Sequence, residues 1–158
     1  MLYMDKISKI VFSGGGLKGC AHIGVIKFLE EKNIIKQITH YVGTSIGSII
    51  AVLLVMSYTS DELEQIIIGF NYNKYQSIDI CHILENFGFD SCEGINSFIQ
   101  SLFAKKNFSS KITFHELFKI TQKHLIINAT CLNTHDNTIF DHINTPDMPV
   151  LTAVCASM

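Results

Sequence analysis

Ser45 stands at the centre of Gly43-Thr44-Ser45-Ile46-Gly47, a G-x-S-x-G run lying between an apolar β-type stretch and an apolar helical one. A serine hydroxyl becomes a nucleophile when a sharp bend projects it and a base takes its proton; flanking glycines permit both the bend and the close packing around it. The helix expected from Ile46 points its positive end at that hydroxyl. Gly43, Thr44, Ile46 and Gly47 are thus the candidate elbow around a candidate nucleophile. A second glycine cluster precedes it: VFSGGGLKGC, residues 11–20, contains Gly14, Gly15, Gly16 and Gly19.

That first cluster satisfies G-x-G-x-x-G, which suits either a dinucleotide pyrophosphate or a transient oxyanion. A dinucleotide site calls for an acidic residue at the end of the second strand to bind the ribose. No Asp or Glu lies between Glu31 and Asp61, and the serine elbow takes that place. A phosphate-binding P-loop is excluded because Lys18 precedes Gly19 and no G-K-[ST] follows. The favoured role is an oxyanion hole, with backbone N–H groups of Gly15, Gly16 and Leu17 beside a helix N-terminus. A dinucleotide-binding fold is the weaker alternative.

These motifs need elements to hold them. Ile7 to Ser13 reads as a buried strand ending at glycines. A helix is expected from Gly19 to Asn33, with Ala21, Val25, Phe28 and Leu29 at helical spacing and Lys27 and Glu31 as an outward pair. Ile38 to Val42 forms the second strand, and the β-loop-α-β length suits a right-handed parallel crossover. Helix Ile46 to Tyr58 follows. Capping boxes at Thr59–Glu62 and Thr113–Glu116 open two more helices, a further helix covers Glu93 to Lys105, and His124 to Cys131 and Thr138 to Asp141 read as strands. A last helix begins at Asp147-Met148-Pro149. Residues 71–110 read as a helical insertion or lid.

An ordinary α/β-hydrolase places strands between its oxyanion loop and its elbow, whereas here one βαβ unit separates them. G-G-G-x-K-G followed by G-T-S-x-G resembles the patatin-like phospholipases, as do the strand Leu125–Cys131 and the segment Thr152-Ala153-Val154-Cys155-Ala156-Ser157. The resemblance implies a three-layer α/β/α fold with a mainly parallel sheet. It also implies a lipid acyl hydrolase acting on a lipid or phospholipid ester through a Ser–Asp dyad, with no metal and no cofactor. Ser45 matches the nucleophile. Gly14, Gly15, Gly16 and Gly19, with Leu17 and Lys18 between them, match the oxyanion loop. Lys18 stands where many relatives carry Arg, which keeps the charge and loses the planar fork.

The family's Asp belongs to a D-G-G or D-G-A motif after the A-S segment. None of Asp5, Asp61, Asp79, Asp90, Asp136, Asp141 and Asp147 is followed by glycine. Residues 1–158 are therefore expected to form a C-terminally truncated acyl hydrolase domain that is inactive alone. The alternative is a lipid-binding module lacking the base. A strand lost from the sheet would leave an edge through which two chains could form a homodimer.

Composition sets the remaining bounds. The 158 residues suit one domain, and 47% hydrophobic content argues against disorder. A net charge of −2 with twelve basic residues, all lysine, gives no pull toward nucleic acid. Five scattered cysteines without a C-x-x-C pair suit a cytoplasmic location, and MLYMDKISKI lacks the features of a secretory leader. Lys105, Lys106 and Lys111 among Phe103 and Phe108 are candidates for a transient membrane contact. Phe87, Phe89 and Phe98 read as core. His22 and Cys20 are expected to pack rather than react. His135, Asp136, Asp141 and His142 are close enough in sequence to suggest a metal, but a turn at Asp136-Asn137 explains them more simply.

Overall fold

β-branched and aromatic residues run from Lys9 to Phe12, and glycines end the run, giving strand β1 (Lys9–Phe12). The computed structural model of the chain describes residues 7–69 and 93–158. After β1 come a 3-10 turn (Gly16–Cys20), α1 (Ala21–Glu31), β2 (His40–Thr44), α2 (Ile46–Val55) and α3 (Ser60–Gly69). Beyond them are α4 (Glu93–Lys105), α5 (Phe114–Thr121), β3 (His124–Thr130), β4 (Asn137–Asp141) and α6 (Val150–Ser157). Residues 71–92 of the expected insertion, with Phe87 and Phe89, lie outside the described residues.

The strands form one sheet in the order β1-β2-β3-β4, parallel except for the last pair. The two crossovers β1-α1-β2 and β2-α2-…-β3 advance in the same direction across the sheet. Right-handed connections therefore place α1 and α2 on the same face. That face is the core. Phe12, Gly43, Ile127 and Phe140 stand in one register row, and Tyr41 pairs with Leu125 in another. Phe12, Tyr41, Leu125 and Ile127 are all buried.

Helix α2 is apolar nearly all round, IGSIIAVLLV, and buries Ile50 through Val55 between the sheet and its neighbours. Ile99, Leu102 and Phe103 of α4 and Val150, Leu151, Ala153 and Val154 of α6 complete this core. On the opposite face α5 covers one corner, where the Phe118 ring stacks on His142 at 4.0 Å. The architecture is α/β/α around a mostly parallel sheet. Among the described residues, no helix is long and apolar enough to cross a membrane.

Both capping boxes form. Thr113 accepts from the Glu116 amide while the Glu116 carboxylate accepts from the Thr113 amide, and Thr59 and Glu62 exchange the same pair of bonds. Two expectations for α1 are corrected. Ala21, Val25 and Phe28 are exposed, and Ile23 and Ile26 are the buried residues. Lys27 turns away from Glu31 to pair with Asp61 at 3.3 Å and Glu64 at 3.8 Å. The cause is the same for both: α3 packs along α1 and selects which of two overlapping 3.6-residue stripes becomes the inner one.

Candidate active site

Strand β2 ends at Thr44 and helix α2 begins at Ile46, so the entire change of direction falls on Ser45. The residue adopts φ 54° and ψ −129°, a conformation that non-glycine residues avoid. Its backbone is fastened on both sides. The Ser45 carbonyl accepts from the Ser48 amide at 2.7 Å and from the Ser48 hydroxyl at 2.6 Å. The Ser45 amide donates to Ser157 Oγ at 2.8 Å, and Ser157 Oγ in turn donates to the Asn128 carbonyl at 2.5 Å. The Ser45 hydroxyl is half-buried and reaches Met158 Sδ at 4.0 Å. Among the described residues it has no carboxylate or imidazole within hydrogen-bond distance.

The two glycine motifs meet here. A Cβ on Gly14 would lie 3.4 Å from Ser45 Cβ, which puts the loop after β1 directly against the elbow after β2. A Cβ on Gly19 would come within 2.6 Å of the Ile46 side chain. A Cβ on Gly47 would overlap the carbonyl oxygen of Phe12, and one on Gly43 that of Gly47. These glycines leave room for backbones to touch. Gly16 has a different reason: its φ is +53°, with open space around it. Lys18 donates its amide to the Gly15 carbonyl at 3.1 Å, closing the turn. The amides of Gly16 and Leu17 open that 3-10 turn, where N–H groups lack partners within the helix.

Parallel strands put both bends at one end of the sheet, since each follows the C-terminal end of its strand. A patatin-like phospholipase family model matches residues 10–158. This chain belongs to that family. An uncharacterized protein of Acanthamoeba polyphaga mimivirus is 30% identical over 161 residues, 98% of this chain and 52% of the relative. The "Probable lipid hydrolase 463L" of Invertebrate iridescent virus 6 is 31% identical over 150 residues, 92% of this chain and 50% of the relative. The patatin-like chain thus spans about half the length of these curated relatives. Full-length ExoU in complex with SpcU, from the type III secretion system of Pseudomonas aeruginosa, matches with a TM-score of 0.76 at 21% identity. The match covers 96% of this chain and 38% of that one, and supports the fold.

His22, Lys106, Asp141 and His142 of this patatin-like chain have structural partners. His22 donates through Nε2 to the Ser13 carbonyl at 3.2 Å and sets its ring edge-on to Phe12, bracing the start of the glycine loop from α1. Cys20 departs from the expected packing: at the end of the 3-10 turn it is exposed. Lys106 is drawn out of the proposed basic surface: it pairs with Glu62 at 2.7 Å and lies 4.6 Å from the centre of the Tyr58 ring. That ion pair, through the Lys106 hydrogen bond first and the Thr59 amide next, holds the Glu62 carboxyl below its usual range. Asp141 takes the Ile143 and Asn144 amides at 2.7 Å each, a turn-forming role, while the neighbouring His142 stacks on Phe118. Sequence reasoning missed Ser157 and Ser48 as supports of the elbow. Ser48 was open to detection, because a hydroxyl three residues into a helix can reach back to its start. Ser157 is 112 residues away from Ser45, and no local pattern connects them.

Proposed function

We propose that the whole protein is a serine lipid acyl hydrolase, acting on a lipid or phospholipid ester, in which Ser45 is the nucleophile. The observation that carries this reading is the strained Ser45 backbone held against the Gly14 loop. Strain of this kind persists only where surrounding structure imposes it, and here it falls on the residue that packs against the glycine loop. Ser45 Oγ attacks the ester carbonyl. The N–H groups of Gly15, Gly16 and Leu17 receive the negative charge that develops on the carbonyl oxygen. The Ser45 amide is committed to Ser157, so the glycine loop supplies the stabilisation. Lys18 and Gly19 shape that loop, and Gly43, Thr44, Ile46 and Gly47 shape the elbow.

A hydroxyl alone is a weak nucleophile, and deacylation requires activated water. With no base in hydrogen-bond reach among the described residues, we place it on an aspartate outside residues 1–158, as the family's Ser–Asp dyad implies. That base takes the Ser45 proton and passes it to the departing alkoxide as the ester C–O bond breaks. Activated water then hydrolyses the acyl-enzyme, releasing the fatty acid and restoring the Ser45 hydroxyl, and the reading calls for neither metal nor cofactor. The family membership and the lipid-hydrolase name of the iridovirus relative support the substrate class.

The test is a fluorophosphonate probe with peptide mapping, run beside hydrolysis of a fluorogenic phospholipid. The full-length protein is expected to form one adduct, on Ser45, and Ser45→Ala to lose both labelling and turnover. Residues 1–158 alone are expected to turn over less than about one-hundredth as fast as the full-length protein. Turnover retained in Ser45→Ala overturns the assignment. A correctly folded full-length protein that neither labels nor hydrolyses supports the lipid-binding module instead.

A further inference from the structure

We propose that Ser157, in the last turn of α6, is a positioning residue that sets the geometry of the nucleophile; this rests on the reading of Ser45 given above. The register of β2 and β3 shows what its hydroxyl does. Thr44 pairs with Asn128 at the final rung of the parallel ladder. Past Thr44 the chain leaves the sheet, and the Ser45 amide donates to a side chain instead of to β3. Ser157 Oγ fills the gap. It accepts from Ser45 N–H at 2.8 Å and donates to the Asn128 carbonyl at 2.5 Å, acting as one extra rung between β2 and β3.

Both ends of that bridge are half-buried backbone groups, for which an unmade hydrogen bond is costly. Its anchor is firm, because α6 buries Val150, Leu151, Ala153 and Val154 against the core. The hydroxyl position is thus fixed by a packed helix. With the Ser48 bonds holding the Ser45 carbonyl, the Ser157 bond on the amide ties down both backbone polar groups of the strained residue. Without the Ser157 hydroxyl, the Ser45 peptide is free to rotate toward an unstrained conformation. Oγ then swings relative to the glycine loop, and small misplacements of a nucleophile cost large factors in rate.

The experiment uses the full-length protein and its Ser157→Ala, Ser157→Thr and Ser157→Cys variants, with Ser45→Ala as the control for nucleophile identity. Ser157→Ala is expected to slow fluorophosphonate labelling and kcat about tenfold or more with KM changed less than about threefold. Thr, which keeps the hydroxyl, restores the rate to within about threefold of wild type, and Cys, a weak donor, falls between. Amide hydrogen exchange at Ser45 reads the same bond independently of catalysis. Protection is lost in Ser157→Ala and kept in Ser157→Thr while the middle of α2 stays protected. A wild type that fails to label at Ser45 defeats the nucleophile reading, and the exchange data still decide the tether. Equal Ser45 protection in wild type and Ser157→Ala overturns the proposal, as does a Thr variant as slow as Ala with the same Tm. If Ser157→Ala does not fold, the Thr and Cys variants decide: Cys indistinguishable from Thr in rate and exchange overturns it.

Discussion

A side chain at φ 54° and ψ −129° stores strain that the fold must offset elsewhere. Replacing Ser45 by Gly removes the Cβ that causes it, so Ser45→Gly is expected to raise the unfolding free energy by about 1 kcal/mol while abolishing labelling. Urea unfolding beside the probe assay checks both, and a variant less stable than wild type contradicts the strain. The glycines divide by mechanism. Gly47→Ala places a methyl into the carbonyls of Phe12, the last residue of β1, and of Ser13 beside it, backbone atoms that cannot easily retreat, so a loss of about 3 kcal/mol or more is expected. Gly16→Ala meets open space and suffers only from its positive φ, for roughly 1 kcal/mol. Equal losses at the two positions would show that crowding is not what requires Gly47.

Helix α1 carries the chain from the glycine loop back to β2, and only Ile23 and Ile26 of its residues are fully buried. Its middle includes Gly24, where an added Cβ would meet nothing within 4 Å and φ is not positive. Gly24→Ala is therefore expected to stabilise the protein by about 0.5–1 kcal/mol through helix propensity. Thermal melting reads this directly, and a fall in Tm would mean that Gly24 packs against a segment that approaches it only in solution. The exposed Val25 and Phe28 on this helix show the limit of periodicity as a guide. Four apolar residues at helical spacing do not identify the buried side when Ile23 and Ile26 offer a competing stripe.

At the level of the whole molecule, the sheet separates the proposed site from a histidine cluster at its other end. Ser45 follows the C-terminal end of β2, while His40 begins that strand and stacks on His124 of β3 at 4.2 Å, with His142 at 4.8 Å from His124. Burial first, then the neighbouring His124 and Lys9, push the His40 pKa down. Burial and His124 do the same to His142, against the opposing pull of Asp141 and with His115 adding to the downward shift. Both imidazoles are thus more easily protonated in the unfolded chain. Their contribution to stability is fully present above pH of about 6.5 and declines as pH falls through and below that value. Tm is expected to drop between pH 7.5 and 5.5, and to drop less in a His40→Gln, His142→Gln double variant. An identical pH dependence in the two proteins would remove the cluster as the cause.

Local chemistry was legible in the sequence. Two glycine motifs after two strands, both capping boxes and the apolar helix α2 follow from residue types at short spacing, because turns, caps and helices are decided within a few residues. The parallel β1-α1-β2 crossover was legible for the same reason. Tertiary structure decided what depends on contacts between distant segments: which stripe of α1 faces inward, where Lys27 and Lys106 find their carboxylates, and the approach of Gly14 to Ser45. Above all it decided that a hydroxyl on α6 closes the ladder at the elbow. A hydrogen bond between residues 112 positions apart leaves no periodic trace in a sequence, since only the packing of α6 on β3 brings its two ends together.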